Sequence, residues 1–225
     1  MSRIFVPSSG PDDWRGLLAE PDKHWACGYS ARTLAHCWEE AEGFPPEIRR
    51  ALSQHPALDP LEPLLIFPEW KVGLAGGSRP SQNDVWVLAK SLNGLVSISV
   101  EGKVDEPFDK SLGEWKADAS GGKETRLSYL MEILGLREPI PDPIRCQLLH
   151  RAASAIIEAE RFGTHDAVML VHSFSPANQW FDDFAAFVSL FGRKAEIDRL
   201  VTAVVSKRMP LHLGWVHGDE RYLSA

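Results

Sequence analysis

Cysteine is scarce in this chain and poorly placed for cross-linking: there are three, Cys27, Cys37 and Cys146, with no Cys-x-x-Cys spacing. An odd, dispersed set argues against a disulfide framework or a thiolate zinc site and leaves buried free thiols as the expectation. Long apolar runs are missing as well. No window approaches the roughly 18 residues of a membrane span, and Met1 to Gly10 has no apolar stretch behind it, so a cytoplasmic protein without a membrane partner is expected. Positive charge is short, with 24 Lys and Arg against 31 Asp and Glu and a formal net charge of -7. That balance weakens nonspecific nucleic-acid binding, which depends on cations neutralising phosphates, although a local basic strip along a cleft suffices.

Several catalytic signatures are also lacking. The eight histidines include no His-Glu-x-x-His string, and His172, His212 and His217 share no ligand spacing. Ser173-Phe174-Ser175 is no Gly-x-Ser-x-Gly elbow. Gly73-Leu-Ala-Gly-Gly-Ser78 lacks the Gly-Lys-Ser/Thr ending and the following helix of a phosphate-binding loop.

What is present fits one compact α/β domain over 1–225, since 225 residues with 44% hydrophobic content can bury one sizeable core. Residues 1–29 are rich in Pro, Gly and Asp and read as an irregular N-terminal wrap anchored by Trp14 and Trp25. Residues 30–175 read as the core, and 176–225 as a C-terminal extension. In the core, Ala31 to Glu42 is an amphipathic helix with Leu34, Cys37, Trp38 and Ala41 on one face and Ser30 as its cap. A short helix follows from Pro45-Pro46 to Ser53. Strands are expected near 64–74, 84–91 and 95–104, helices at 126–134 and 144–161, and a buried strand at 167–171. A Phe-rich helix over 179–190 and a strand at 211–216 form the extension. Its Phe and Trp residues read as packing and not as a base-stacking platform.

The most informative segment is a hairpin. Val85, Val87 and Ala89 alternate along its first arm, and Val96, Ile98, Val100 and Val104 along its second. Asn93-Gly94 is the favoured pair for a two-residue type I′ turn because both central positions need positive φ. With that loop Leu92 faces Leu95, Asp84 falls opposite Lys103, and Glu101 lies diagonal to Asp84, all on one face. Two outcomes follow from the same register: a divalent metal between the Asp84 and Glu101 carboxylates, or a plain Asp84 to Lys103 ion pair.

Glu-x-Lys alone is weak, since 17 Glu and 9 Lys in 225 residues predict about 0.7 by chance. The chain has three. Glu69-Trp70-Lys71 follows the apolar run Leu64 to Phe67 and is a real competitor, but Pro68 cannot donate to a ladder, so that strand is expected at the sheet margin or to begin after Pro68. Glu114-Trp115-Lys116 precedes Ser120-Gly121-Gly122 in a polar stretch and reads as a loop.

Asp84 on one strand with Glu101 and Lys103 on the next, in the order helix, three-strand meander, helix, strand, resembles the PD-(D/E)xK phosphodiesterase superfamily, also called restriction-endonuclease-like. Asn83 stands where the family name has Pro, at a position that family leaves variable. The resemblance covers roughly residues 30–175. It implies a mixed central sheet flanked by helices and a metal-dependent nuclease, hydrolysing DNA or RNA, with Asp84, Glu101 and Lys103 catalytic. Asp84, Glu101 and the Gly102 carbonyl would hold Mg²⁺ or Mn²⁺, polarising the phosphodiester and activating water. Lys103 would orient that water and stabilise developing charge. An acid from the preceding helix is also implied. Among Glu39, Glu40 and Glu42, Glu42 lies closest to the buried stripe. Lys123, Arg126, Arg145 and Arg151 are the basic residues available to a nucleic-acid partner. The alternative is a non-catalytic binding or regulatory protein that keeps this fold with an ion-paired hairpin.

Overall fold

In the computed structural model, residues 4–6, 8–118, 120–205 and 209–225 are described. Six strands form one open mixed sheet in the order β1-β2-β3-β4-β6-β5. They are β1 (Glu62–Val72), β2 (Ser81–Ser91), β3 (Gly94–Lys103), β4 (Asp166–Ser173), β5 (Arg199–Val204) and β6 (Pro210–His217). The β1, β2 and β3 meander is antiparallel, β3, β4 and β6 run parallel, and β5 closes the far edge antiparallel to β6. The parallel step from β3 to β4 requires a crossover. It is supplied by α4 (Leu112–Lys116), α5 (Gly121–Leu134) and α6 (Cys146–Phe162).

Helices cover both faces. One face carries Ile66, Val85, Val87, Val96, Ile98, Val100, Val168 and Leu170, packed by Leu34, Cys37 and Trp38 of α2 (Ser30–Ala41) and by Ile48 and Leu52 of α3 (Pro46–Ser53). The other buries Met169, Val171, Leu211, Leu213 and Trp215 under α5, α6 and α7 (Phe181–Ser189). A strand covered on both faces needs no polar alternation, which is why all eight residues of β4 are buried.

The wrap is more ordered than its composition suggests. It holds a 3₁₀ turn over Pro11–Leu17 and the four-residue helix α1 (Pro21–His24). Trp14 anchors it, buried with its indole N–H donating 2.7 Å to Glu39, whereas Trp25 is half-buried. Pro68 sits on the sheet margin as its missing N–H requires, because β1 is an edge strand. Other details differ from the sequence reading. Ser30 is the first residue of α2 and not its cap; Tyr29 holds the cap position, with no side-chain cap hydrogen bond. Glu114-Trp115-Lys116 belongs to α4, started by a capping box in which Ser111 and Glu114 cap each other. α5 begins at Gly121, ahead of Arg126. β5 was not expected, being a short edge strand whose Val204 is 65% exposed and which therefore shows little alternation. No helix among the described residues is long and apolar enough to cross a membrane.

Candidate active site

The hairpin forms, but in a different register from the one its turn residues suggest. Ser91 pairs with Gly94, Leu88 with Ser97 and Val85 with Val100, so Leu92 and Asn93 are the loop and Gly94 is the first residue of β3. Ser91 Oγ accepts the Asn93 N–H at 3.1 Å and donates to the Gly94 carbonyl at 3.3 Å. A side-chain-closed turn thus displaces the Asn-Gly turn. The shift is an even number of residues, so no side chain changes face through it. It does change partners: carried one residue past Val85 with Val100, it sets Asp84 opposite Glu101 and not Lys103, which corrects the expected Asp84 to Lys103 pairing.

Glu101 instead anchors the cations. It is 1% exposed, with Lys103 Nζ donating to Oε1 at 2.7 Å and Arg151 Nε donating to Oε2 at 2.6 Å. Arg151, from the second turn of α6, also donates to Ser81 Oγ on β2 at 2.8 Å, and Lys103 lies 4.9 Å from the centre of the Phe108 ring. Burial alone would raise the Glu101 carboxyl, but Arg151 and Lys103 outweigh it and hold it below the usual range. The Arg151 guanidinium is raised in turn, Glu101 and Asp84 overcoming its desolvation.

Asp84 and Glu69 are placed by a change of face shared by two strands. Phe67 and Trp70 are three residues apart, yet their rings lie 5.8 and 5.4 Å from that of Trp86, so β1 turns over between them, around Glu69 with φ 54°. β2 turns over beside it. Ser81 meets Arg151, Asn83 accepts from Ser99 at 2.5 Å, and Trp86 donates to Ser97 at 3.0 Å, three contacts that strict alternation would not put on one side. Pro68 with Val85 and Trp70 with Asn83 bracket Glu69 and Asp84, which therefore stand opposite each other. Beyond the last β2–β3 pair the Asp84 carboxylate takes over the ladder, accepting the Gly102 N–H at 2.7 Å. The N–H and C=O of a strand residue point the same way, so the Gly102 carbonyl is directed toward β2 as well.

These two acids have no cation of their own. Among the described residues Glu69 accepts from Gln82 at 2.6 Å and Asp84 from Gly102, while Lys103 and Arg151 bond Glu101. Burial, then the charge of Glu101, pushes Asp84 up to about 7, and burial, then Asp84, pushes Glu69 up to about 8. An acid raised in the folded chain costs nothing below its unfolded pKa and an increasing penalty as pH climbs through the folded value. Stability against urea should therefore fall by about 1–3 kcal/mol between pH 6.5 and 9. Asp84→Asn or Glu69→Gln should flatten that slope; a wild-type curve that rises with pH would contradict the placement.

The other expected positions lie apart. Glu42 is exposed, in the left-handed conformation that ends α2, so Glu69 from β1 is the acid that stands next to Asp84. Glu39 is spent on Trp14 and Ser8, and Glu40 on Arg221. Arg126 donates to the carbonyls of Leu74, Ala75, Gly77 and Arg79 and clamps the β1–β2 loop. Gly76, φ 82°, is needed there because a Cβ would fall 2.2 Å from the Gly122 carbonyl oxygen. Lys123 bonds Asp118 and the Trp115 carbonyl, and Arg145 pairs with Asp183 at 2.8 Å. Of the four basic residues, Arg151 alone is part of the site.

Two polar networks outside the hairpin escaped the sequence reading because their members are far apart in the chain. Cys37, Glu47 and His172 bring one ligand atom each within 4.8 Å of the others, the one such set of three among the described residues. Hydrogen bonding already accounts for it. Trp38 Nε1–H donates to His172 Nδ1 at 3.3 Å, so Nε2 carries the proton and donates to Glu47 at 2.9 Å, and Cys37 Sγ contacts the same oxygen at 3.6 Å. A metal on Nε2 would need a proton on Nδ1, facing the indole N–H. Second, Asp166, His212, Thr202 and His55 form a chain of 2.9, 3.0 and 3.0 Å contacts at the opposite end of β4.

A family model described as a domain of unknown function, DUF6946, matches residues 7–220. The chain belongs to this family. No curated protein and no solved structure matches it. Among the described residues, β1, β2, β3 and α6 bring Glu69, Asp84, Glu101, Lys103 and Arg151 into one neighbourhood. Asp84 and Glu69, which have no salt bridge among the described residues, are hard oxygen ligands whose mutual repulsion a divalent cation would relieve, which fits Mg²⁺ or Mn²⁺ better than a soft metal.

Proposed function

We propose that this site is a metal-dependent phosphodiesterase of the PD-(D/E)xK type acting on nucleic acid, within a restriction-endonuclease-like core. The observation that carries the reading is the placement of Asp84: next to the last β2–β3 pair, Val85 with Val100, its carboxylate accepts the Gly102 N–H at 2.7 Å, between Glu101 and Lys103 at the carboxyl end of parallel strand β3. The order α2, β1-β2-β3, α6, β4 supports it. Asp84, Glu101 and the Gly102 carbonyl would hold Mg²⁺ or Mn²⁺, with Glu69 beside them in place of a helix acid. The ion supplies polarisation of the phosphodiester and a lowered pKa for water. Hydrolysis adds water to phosphorus and breaks one P–O ester bond, giving a monoester and an alcohol. Lys103 contributes a positive charge for the phosphoryl oxygens as negative charge builds on them. Three unpaired thiols, Cys27, Cys37 and Cys146, agree with a cytoplasmic setting.

One observation favours a second reading, a non-catalytic binding or regulatory module: both oxygens of Glu101 are already neutralised by Lys103 and Arg151. Melting curves in Mn²⁺ separate the two. Under the nuclease reading millimolar Mn²⁺ raises the wild-type Tm by several degrees and leaves Glu101→Gln unmoved; equal curves with and without the ion favour the module.

A further inference from the structure

Glu101 is the one acid of the site with more cation than it needs. Lys103 holds one oxygen at 2.7 Å and Arg151 the other at 2.6 Å, while Asp84 and Glu69 beside it have no salt bridge among the described residues. The two cations are not held alike. Lys103 has a single ionic partner and a face of Phe108, on a flexible stem. Arg151 bridges two strands, with Nε on Glu101 of β3 and an N–H on Ser81 Oγ of β2, and it is 8% exposed. Because Ser81 lies three residues before Asp84, the guanidinium is fixed across the same stretch of the β2–β3 seam that the carboxylates occupy.

We propose that Arg151 is an internal counter-cation that sets the metal affinity of this site, competing with a divalent ion for Glu101 and giving way as the ion is taken up. The proposal rests on the phosphodiesterase reading above and adds its regulation. A unit positive charge within a few ångström of a divalent ion is strongly repulsive at protein dielectric, so the competition is one of charge as well as of lone pairs. Ser81 is the second anchor, and loosening it weakens the competitor without touching an acid. The site then fills in proportion to free divalent concentration, and a substrate phosphate, an alternative partner for a guanidinium fork, favours loading by drawing Arg151 off Glu101.

The test is a calorimetric Mn²⁺ titration at pH 7.5 of wild type, Ser81→Ala, Arg151→Lys, Arg151→Gln and Glu101→Gln, each checked by circular dichroism. The expected result is that Arg151→Gln binds Mn²⁺ about tenfold or more tightly than wild type, Ser81→Ala and Arg151→Lys a few-fold more tightly, and Glu101→Gln not at all. Ser81→Ala removes one hydroxyl and keeps the assay informative if Arg151→Gln does not fold. Unchanged or weaker binding in Ser81→Ala and both Arg151 variants, with Glu101→Gln still defective, overturns the counter-cation and leaves the phosphodiesterase reading standing. Absence of Mn²⁺ binding in wild type and every variant, or wild-type binding in Glu101→Gln, overturns both.

Discussion

Glu101→Gln is expected to cost the fold about 3–5 kcal/mol at pH 7 while also removing divalent-dependent cleavage. The carboxylate is the partner of two buried cations, Lys103 at 4% exposure and Arg151 at 8%. An amide of the same shape leaves both nearly buried charges without their counter-charge. Removing one partner of a buried pair is far more costly than replacing the whole set, because the survivor keeps its desolvation penalty and loses its compensation. The triple variant Glu101→Leu, Lys103→Met, Arg151→Met should therefore recover most of the loss. Urea unfolding of the single and triple variants checks this. A Glu101→Gln protein as stable as wild type would mean that the three side chains do not form the buried network described.

Lys103→Ala should separate binding from chemistry. Its ammonium touches Glu101 and neither Asp84 nor Glu69, so the metal ligands survive its removal, and less positive charge competes for them. Cleavage should drop by about 10²–10³-fold, the usual loss when one preorganised donor to developing charge is removed, while Mn²⁺ binding stays equal or tightens. Single-turnover cleavage beside the calorimetric Kd measures both. A variant that loses metal and activity together would reassign Lys103 to support of the ligand set.

The elements were legible in the sequence wherever burial imposes a period. α2 and α6 each carry an apolar stripe, β4 is a continuous apolar run, and the hairpin arms alternate. The register was not legible. Asn93-Gly94 has the strongest local turn preference, but Ser91 closes a turn over Leu92 and Asn93 with its own hydroxyl, and Gly94 takes a φ of 131° that L side chains rarely adopt. One local turn displaced another and moved Asp84 from Lys103 to Glu101. Glu69 appeared in the sequence as a rival triplet to Glu101. It is a neighbour, because the shared change of face in β1 and β2 sets it opposite Asp84, an arrangement invisible to a rule of strict alternation. Arg151 was read as a surface contact for phosphate. Its place under Glu101 depends on how α6 crosses the sheet, which spacing along one helix does not encode.

The most direct measurement is a cleavage assay on single- and double-stranded DNA and RNA in Mg²⁺ or Mn²⁺, with wild type beside Lys103→Ala and Glu101→Gln. Wild type is expected to cleave, a chelator to stop it, and both variants to cleave at least about 10²-fold more slowly. Cleavage of undiminished rate in either variant, or no cleavage of any substrate by a wild-type protein that is folded and metal-supplemented, would contradict it.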